Sequence, residues 1–176
     1  MTHEPRIDWL PLAALALPGR LGMTRAPGRW SPGRHLDSDV RLRRDLEVIA
    51  RDHGAKVLVT LLEPAEIAEL GNLRAAARRA RLAWLHFPIP DMSIPRDVAA
   101  TRKLVGRILA ALEGGDHVVV HCWGGLGRTG TIAAACLVAR GRAAAEALAL
   151  VRAARQGAVE VPAQVRFVEE LAAASR

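Results

Sequence analysis

Val118, Val119 and Val120 follow one another in the stretch HVVVH. Side chains alternate across a strand, so a strand built here shows hydrocarbon on both faces of its sheet. Only helices on each side can cover it. KVLVTLL at 56–62 and AWLHFPIP at 83–90 read as further strands, and helical periodicity runs between and after them. Asp37 or Ser38 caps a helix with Val40, Leu42, Leu46, Ile49 and Ala50 near one side, ended by Gly54. Pro64 opens the next helix, Gly71 breaks it, and Asn72 caps a second piece. Pro95 starts a long helix to about Glu113, closed by Gly114 and Gly115, and helices fill the chain after residue 128. Strands taking turns with helices predict an α/β fold with a central, mostly parallel sheet covered on both faces.

Two N-terminal stretches are less regular. WLPLAALAL at 9–17 reads as a buried strand: it is too short to cross a bilayer, and Glu4 and Asp8 make its flank acidic, unlike a signal peptide. Residues 18–35, PGRLGMTRAPGRWSPGRH, read as a long irregular surface loop. A solvated connector is the plain reading of that loop, and a basic rim facing substrate is the alternative.

A chain of 176 residues, about half of them apolar, fits a single domain over 1–176. Arginine supplies 23 of the 25 basic residues, since Lys56 and Lys103 are the two lysines. They are scattered, so the net charge of +7 favours anionic partners in general without forming a nucleic-acid tail. No nucleic-acid or membrane partner is expected. Cys122 and Cys136 are too few for a disulfide framework and lack metal-ligand spacing, so reduced thiols, a cytoplasmic protein and no metal or cofactor are the expectation.

Directly after the valines comes HCWGGLGRTG, residues 121–130. The loop 122–128 joins a strand end to a helix N-terminus, a junction that binds anions. Gly124, Gly125 and Gly127 allow positive φ angles and an inward curl of N–H groups into a nest for phosphate oxygens, with Trp123 and Leu126 completing the ring. The nucleotide-hydrolase loop fits poorly, because Cys122 stands where its first glycine belongs and Arg128 where its lysine belongs. A thiol in that place suggests a nucleophile beneath a phosphoryl group. A helix N-terminus and a nearby cation favour the thiolate form of a cysteine. Arg128 would clamp two phosphoryl oxygens with its planar fork. Thr129 would return a hydroxyl hydrogen bond to the sulfur, and His121 would order the loop rather than act as a base.

Displacing an alkoxide or phenoxide also requires a proton donor. Asp91 is the candidate, in the Pro-bracketed loop PIPDMSIP just after a strand. Asp97, in the first turn of a helix, and Asp116, at a strand entry, are weaker rivals.

VVVHCWGGLGRTG resembles the signature of the cysteine-dependent protein phosphatases. The fuller pattern is similar to the dual-specificity branch, and most to the kinase-associated phosphatase family. The likeness runs from LPGRLGMTRAPG through HFPIPDMSIP and HCWGGLGRTGTIAAACLVARG to VRAARQGAVEVPAQVRFVEEL. It implies a sheet of about five strands flanked by helices, a phosphocysteine intermediate and no metal. It also implies Cys122 as nucleophile, Arg128 as clamp and Asp91 as the acid that later activates water. Gln164, by its own sequence a solvated helix residue, resembles the glutamine that helps place that water.

The expected function is hydrolysis of phosphomonoesters on a phosphorylated protein or peptide. A binding module that reads phosphate without turnover and an RNA 5′-phosphatase are the alternatives. The cradle lacks the lysines that phosphatases of inositol lipids tend to carry, and Trp123 is expected to pack beneath the loop.

Overall fold

The computed structural model describes residues 4–30 and 37–174. Its sheet has five strands in the order β1-β2-β5-β3-β4. These are β1 (Asp8–Trp9), β2 (Leu21–Thr24), β3 (Ala55–Thr60), β4 (Ala83–His86) and β5 (His117–His121). β5 lies in the middle, parallel to β2 and β3; β3 and β4 are also parallel, and β1 runs antiparallel on the edge.

The strand alternation sorts the core into two layers. Val118 and Val120 of β5, with Val57 and Val59 of β3, face one side, and Val119 and Leu58 face the other. The first face is covered by α1 (Leu12–Leu15), α5 (Val98–Glu113), α6 (Gly127–Ala139), α7 (Ala144–Ala154) and α8 (Pro162–Ala173). The second face carries α2 (Ser38–Arg51) and α4 (Leu73–Arg79), through Leu42, Leu46, Ile49, Leu73 and Ala77. α3 (Pro64–Leu70) precedes α4 and presents Glu66 toward α6. Among the described residues no helix is long and apolar enough to cross a membrane.

The caps follow the chemistry of their side chains. Asp37 accepts from the N–H of Asp39, Asn72 from Ala75, and Asp97 from Ala100. The third of these moves a boundary: α5 starts at Val98, since Asp97 captures the first-turn donor and Pro95 remains in the preceding loop.

Three other expectations are corrected. Residues 9–17 are not one buried strand: β1 stops at Trp9, and Pro11 leads into α1, which buries Ala14 and Leu15 while Leu12 faces solvent. Within 18–35, Leu21–Thr24 is not surface loop but a fully buried strand beside β5. Gly22 is required there, because a Cβ would lie 2.3 Å from Cγ2 of Ile7. Residues 31–35 of that stretch lie outside the described residues. Val40 points out of α2 rather than into the core.

Candidate active site

β5 delivers residue 122 to the carboxyl edge of the sheet, and α6 starts five residues later. The turn between them is shaped by what holds its carbonyls. Cys122 O accepts from His121 Nδ1 at 3.1 Å, and Trp123 O from the N–H of Ala26 at 3.0 Å. Gly124 O and Gly125 O accept from Nη2 and Nε of Arg155 at 2.9 and 2.6 Å. A planar trans peptide directs the next N–H opposite to its carbonyl. Four carbonyls held outward therefore turn the N–H groups of Trp123, Gly124, Gly125 and Leu126 toward the hollow. One of these bonds is visible directly, as Gly125 N–H donates to Cys122 Sγ at 3.2 Å.

Glycine is needed for this shape at fewer places than the loop composition suggests. Gly125 alone in the loop has positive φ, at 74°, and a Cβ there would lie 2.2 Å from Thr24 O. Gly124 and Gly127 lack positive φ, and a Cβ on Gly124 would meet open space. Gly127 is confined by side chains instead: its N–H donates to Glu160 Oε2 at 2.7 Å.

Arg128 stands in the first turn of α6 with its side chain 2% exposed. Nη1 and Nη2 reach Glu66 Oε2 and Oε1 at 2.7 and 2.9 Å, a bidentate pair. Nη1 also donates to Ile89 O at 3.0 Å, and Nη2 lies 3.0 Å from Asp91 Oδ1. Burial disfavours the guanidinium charge, but the Glu66 hydrogen bonds and the attraction of Cys122, Glu66 and Asp91 outweigh it and raise its pKa. Burial likewise opposes the Glu66 carboxylate, and Arg128 with the Glu63 N–H overcomes that and holds its pKa below the ordinary range.

His121 is fully buried and lies in a chain of donors that defines its tautomer. Trp84 Nε1–H donates to Thr60 Oγ1 at 2.9 Å, and Thr60 Oγ1 lies 2.8 Å from His121 Nε2. Cys122 O can only accept, so Nδ1 carries the proton and Nε2 takes the Thr60 hydroxyl hydrogen. Burial pushes the imidazole pKa from 6.5 down to about 4, against the favourable bond to Cys122 O. The ring is neutral at physiological pH and braces the loop.

Thr129 and Gln164 differ from expectation. Among the described residues Thr129 Oγ1 is buried without a hydrogen-bond partner, so the donor that reaches the sulfur is the Gly125 amide rather than this hydroxyl. Gln164 is not a solvated helix residue but fully buried. Its Oε1 accepts from the N–H groups of Glu160 and Val161 at 3.0 and 3.4 Å, and its Nε2 donates to Ser93 O at 3.0 Å. It thus ties the loop that carries Asp91 to the start of α8. Asp97 caps α5 and Asp116 precedes β5, so of the three candidate acids it is Asp91 that pairs with Arg128.

Glu66, Arg155 and Glu160 belong to the site and escape sequence reasoning. They stand 62, 30 and 33 residues from their partners in the loop and α6, and no local pattern marks them. A carboxylate on a Pro-opened helix is the only trace Glu66 leaves. Trp123 packs against the large core cluster as expected, and its outer face carries the guanidinium of Arg29, 4.3 Å from the ring centroid.

Domains of the protein tyrosine phosphatase type, in their dual-specificity form, place a cysteine loop between the central strand and its following helix, and this chain folds as one. The family described as Tc-R-P, polymorphic toxin system, DSP-PTPase phosphatase, matches residues 39–142, and the chain belongs to it. The chain is 26% identical over 135 residues to cyclin-dependent kinase inhibitor 3 of Rattus norvegicus, covering 76% of this chain and 60% of that protein. It therefore spans about 60% of the length of this curated relative. Among solved structures it is similar to kinase associated phosphatase carrying a catalytic-site cysteine-to-serine substitution, with TM-score 0.82, 24% identity and 95% and 93% of the two chains covered. It is also similar to Tk-PTP in the active form, with TM-score 0.72, 33% identity and 88% and 92% covered.

Proposed function

We propose that this protein is a cysteine-dependent phosphatase that hydrolyses phosphotyrosine, phosphoserine or phosphothreonine esters on proteins. The observation that carries the reading is the Gly125 N–H bond to Cys122 Sγ inside a ring of inward-turned amides. Amides arranged to stabilise an anionic sulfur also suit phosphoryl oxygens above it. The name of one similar protein, kinase associated phosphatase, supports a phosphoprotein substrate. The two core layers share one sheet, which supports a single domain.

In the first step the Cys122 thiolate attacks phosphorus, an S–P bond forms, and the P–O bond to the leaving group breaks. Asp91, protonated, gives its proton to the departing oxygen. In the second step water attacks the phosphocysteine, its proton goes to the Asp91 carboxylate, and the P–S bond breaks to release inorganic phosphate and the thiolate. The ring amides of 123–126 and Arg128 hold the equatorial oxygens throughout. Gln164 keeps Asp91's loop in place and has one Nε2 proton left for the water.

Hydrolysis of an aryl phosphate in the presence of reductant, with no metal added, tests this. Wild-type turnover should vanish in Cys122→Ser and Arg128→Ala, and Asp91→Asn should lower kcat by roughly a hundred- to ten-thousand-fold while binding persists. Equal rates for the wild type and Cys122→Ser would overturn the reading.

A further inference from the structure

One side of the cradle is bordered by three guanidinium groups, Arg25, Arg29 and Arg155. Burial does most to disfavour the Arg25 charge, and Arg29 and Arg155 lie close enough to disfavour it further, against the attraction of Asp45. Their engagements differ. Arg155 grips the carbonyls of Gly124 and Gly125 and pairs with Asp8. Arg25 donates to Arg29 O at 2.6 Å and lies 4.0 Å over the Trp30 ring. Arg29 is exposed, and its guanidinium has no hydrogen bond or ion pair among the described residues. Among those residues the Trp123 face, 4.3 Å away, supports it.

The backbone that presents Arg29 is tightly built. Buried Asp45 accepts from the N–H groups of Gly28 and Trp30 at 2.6 and 3.3 Å, and Arg41 Nε donates to Gly28 O at 3.1 Å. The N–H of Ala26 is fastened to Trp123 O in the cradle itself. A charged side chain that only shielded a tryptophan would need no such scaffold. This one stacks on the residue next to the nucleophile, with none of its five N–H groups engaged among the described residues.

We propose that Arg29 is a specificity residue that binds a second anionic group on the substrate, so that the preferred substrates are phosphopeptides with negative charge beside the phosphorylated residue. The second group is an acidic side chain or another phosphate, both of which a guanidinium fork accepts. The proposal rests on the phosphatase reading for its use in catalysis, while the binding preference stands independently of turnover. Stacking on Trp123 limits the rotamer freedom of Arg29, which lowers the entropic cost of capture.

Binding to the Cys122→Ser protein tests it, because nothing is hydrolysed. Fluorescence anisotropy would compare three labelled peptides around one phosphothreonine, with neutral flanks, with glutamates beside the phosphoresidue, and with a second phosphate beside it. The charged peptides should bind about tenfold tighter than the neutral one, with the advantage shrinking as salt is raised. Adding Arg29→Ala should bring the ratio to within about twofold of unity, and Arg29→Lys should keep part of it. Which charged peptide gains more identifies the second group. Equal affinity for all three peptides, or a preference that survives Arg29→Ala, would overturn the proposal. Absence of aryl phosphate turnover in the wild type would remove the phosphatase reading and leave this result intact.

Discussion

Glu66 and Arg128 meet fork to fork, with both carboxylate oxygens within 2.9 Å of the two terminal guanidinium nitrogens. The pair joins α3 to α6 and fixes the direction of the buried arginine. Removing the carboxylate takes away the two hydrogen bonds that hold that buried charge and leaves only the attraction of Cys122 and Asp91. Glu66→Ala should therefore cost roughly 3 kcal/mol by urea denaturation, and Glu66→Gln less, because it keeps one acceptor. The pKa of Glu66 is lowered from 4.5, so its contribution is present above about pH 4.5 and is lost as pH falls below that value. Glu66→Gln should flatten this part of the acid unfolding curve.

His121 gives a second pH signature. Its pKa falls from 6.5 to about 4 on folding, so between those values the unfolded chain binds a proton that the folded one refuses. The stability is fully present above pH 6.5 and declines by on the order of 3 kcal/mol as pH drops to 4. Imidazole NMR should show His121 as the neutral Nδ1–H tautomer, unchanged from pH 8 to about 5. A midpoint near 6.5 would refute the buried relay through Thr60 and Trp84.

Arg155 holds two carbonyls of the cradle from outside. Arg155→Met should leave the fold intact and let the Gly124–Gly125 peptide turn. We expect kcat/KM for an aryl phosphate to fall about ten- to a hundredfold and tungstate inhibition to weaken in parallel. Arg155→Lys should restore little, since a point charge cannot serve both carbonyls and Asp8.

The two thiols should separate chemically. Burial pushes Cys136 from 9.0 up to about 12, so at pH 7.5 it has almost no thiolate. Iodoacetate followed by peptide mapping should find Cys122 carboxymethylated and Cys136 untouched, with inorganic phosphate protecting the former.

What the sequence makes legible is local. The β5 run, the cysteine loop and the Asp37, Asn72 and Asp97 caps each depend on residues within a few positions of one another. β2 is not legible, because its burial depends on pairing with β5 almost a hundred residues away and its Gly22 is chosen by the crossing of β1. Gln164 looks solvated on a helix until the Asp91 loop folds over it. The same distance in sequence hides Glu66, Arg155 and Glu160, whose roles arise only when α3, α7 and α8 converge on one strand end.

Three of the five N–H groups on Arg128 are in hydrogen bonds, two to Glu66 and one to Ile89 O, and Asp91 Oδ1 lies 3.0 Å from Nη2 as an ion pair. A two-point grip on a phosphoryl group needs Nε and an Nη2 hydrogen together, and the Asp91 carboxylate competes for Nη2. In the proposed reaction, then, seating the phosphate and releasing the acid are a single exchange. Without an ester the Asp91 carboxylate rests against the contact that the phosphoryl group must claim, and in taking that contact the ester would free Asp91 to acquire the proton it passes to the departing oxygen.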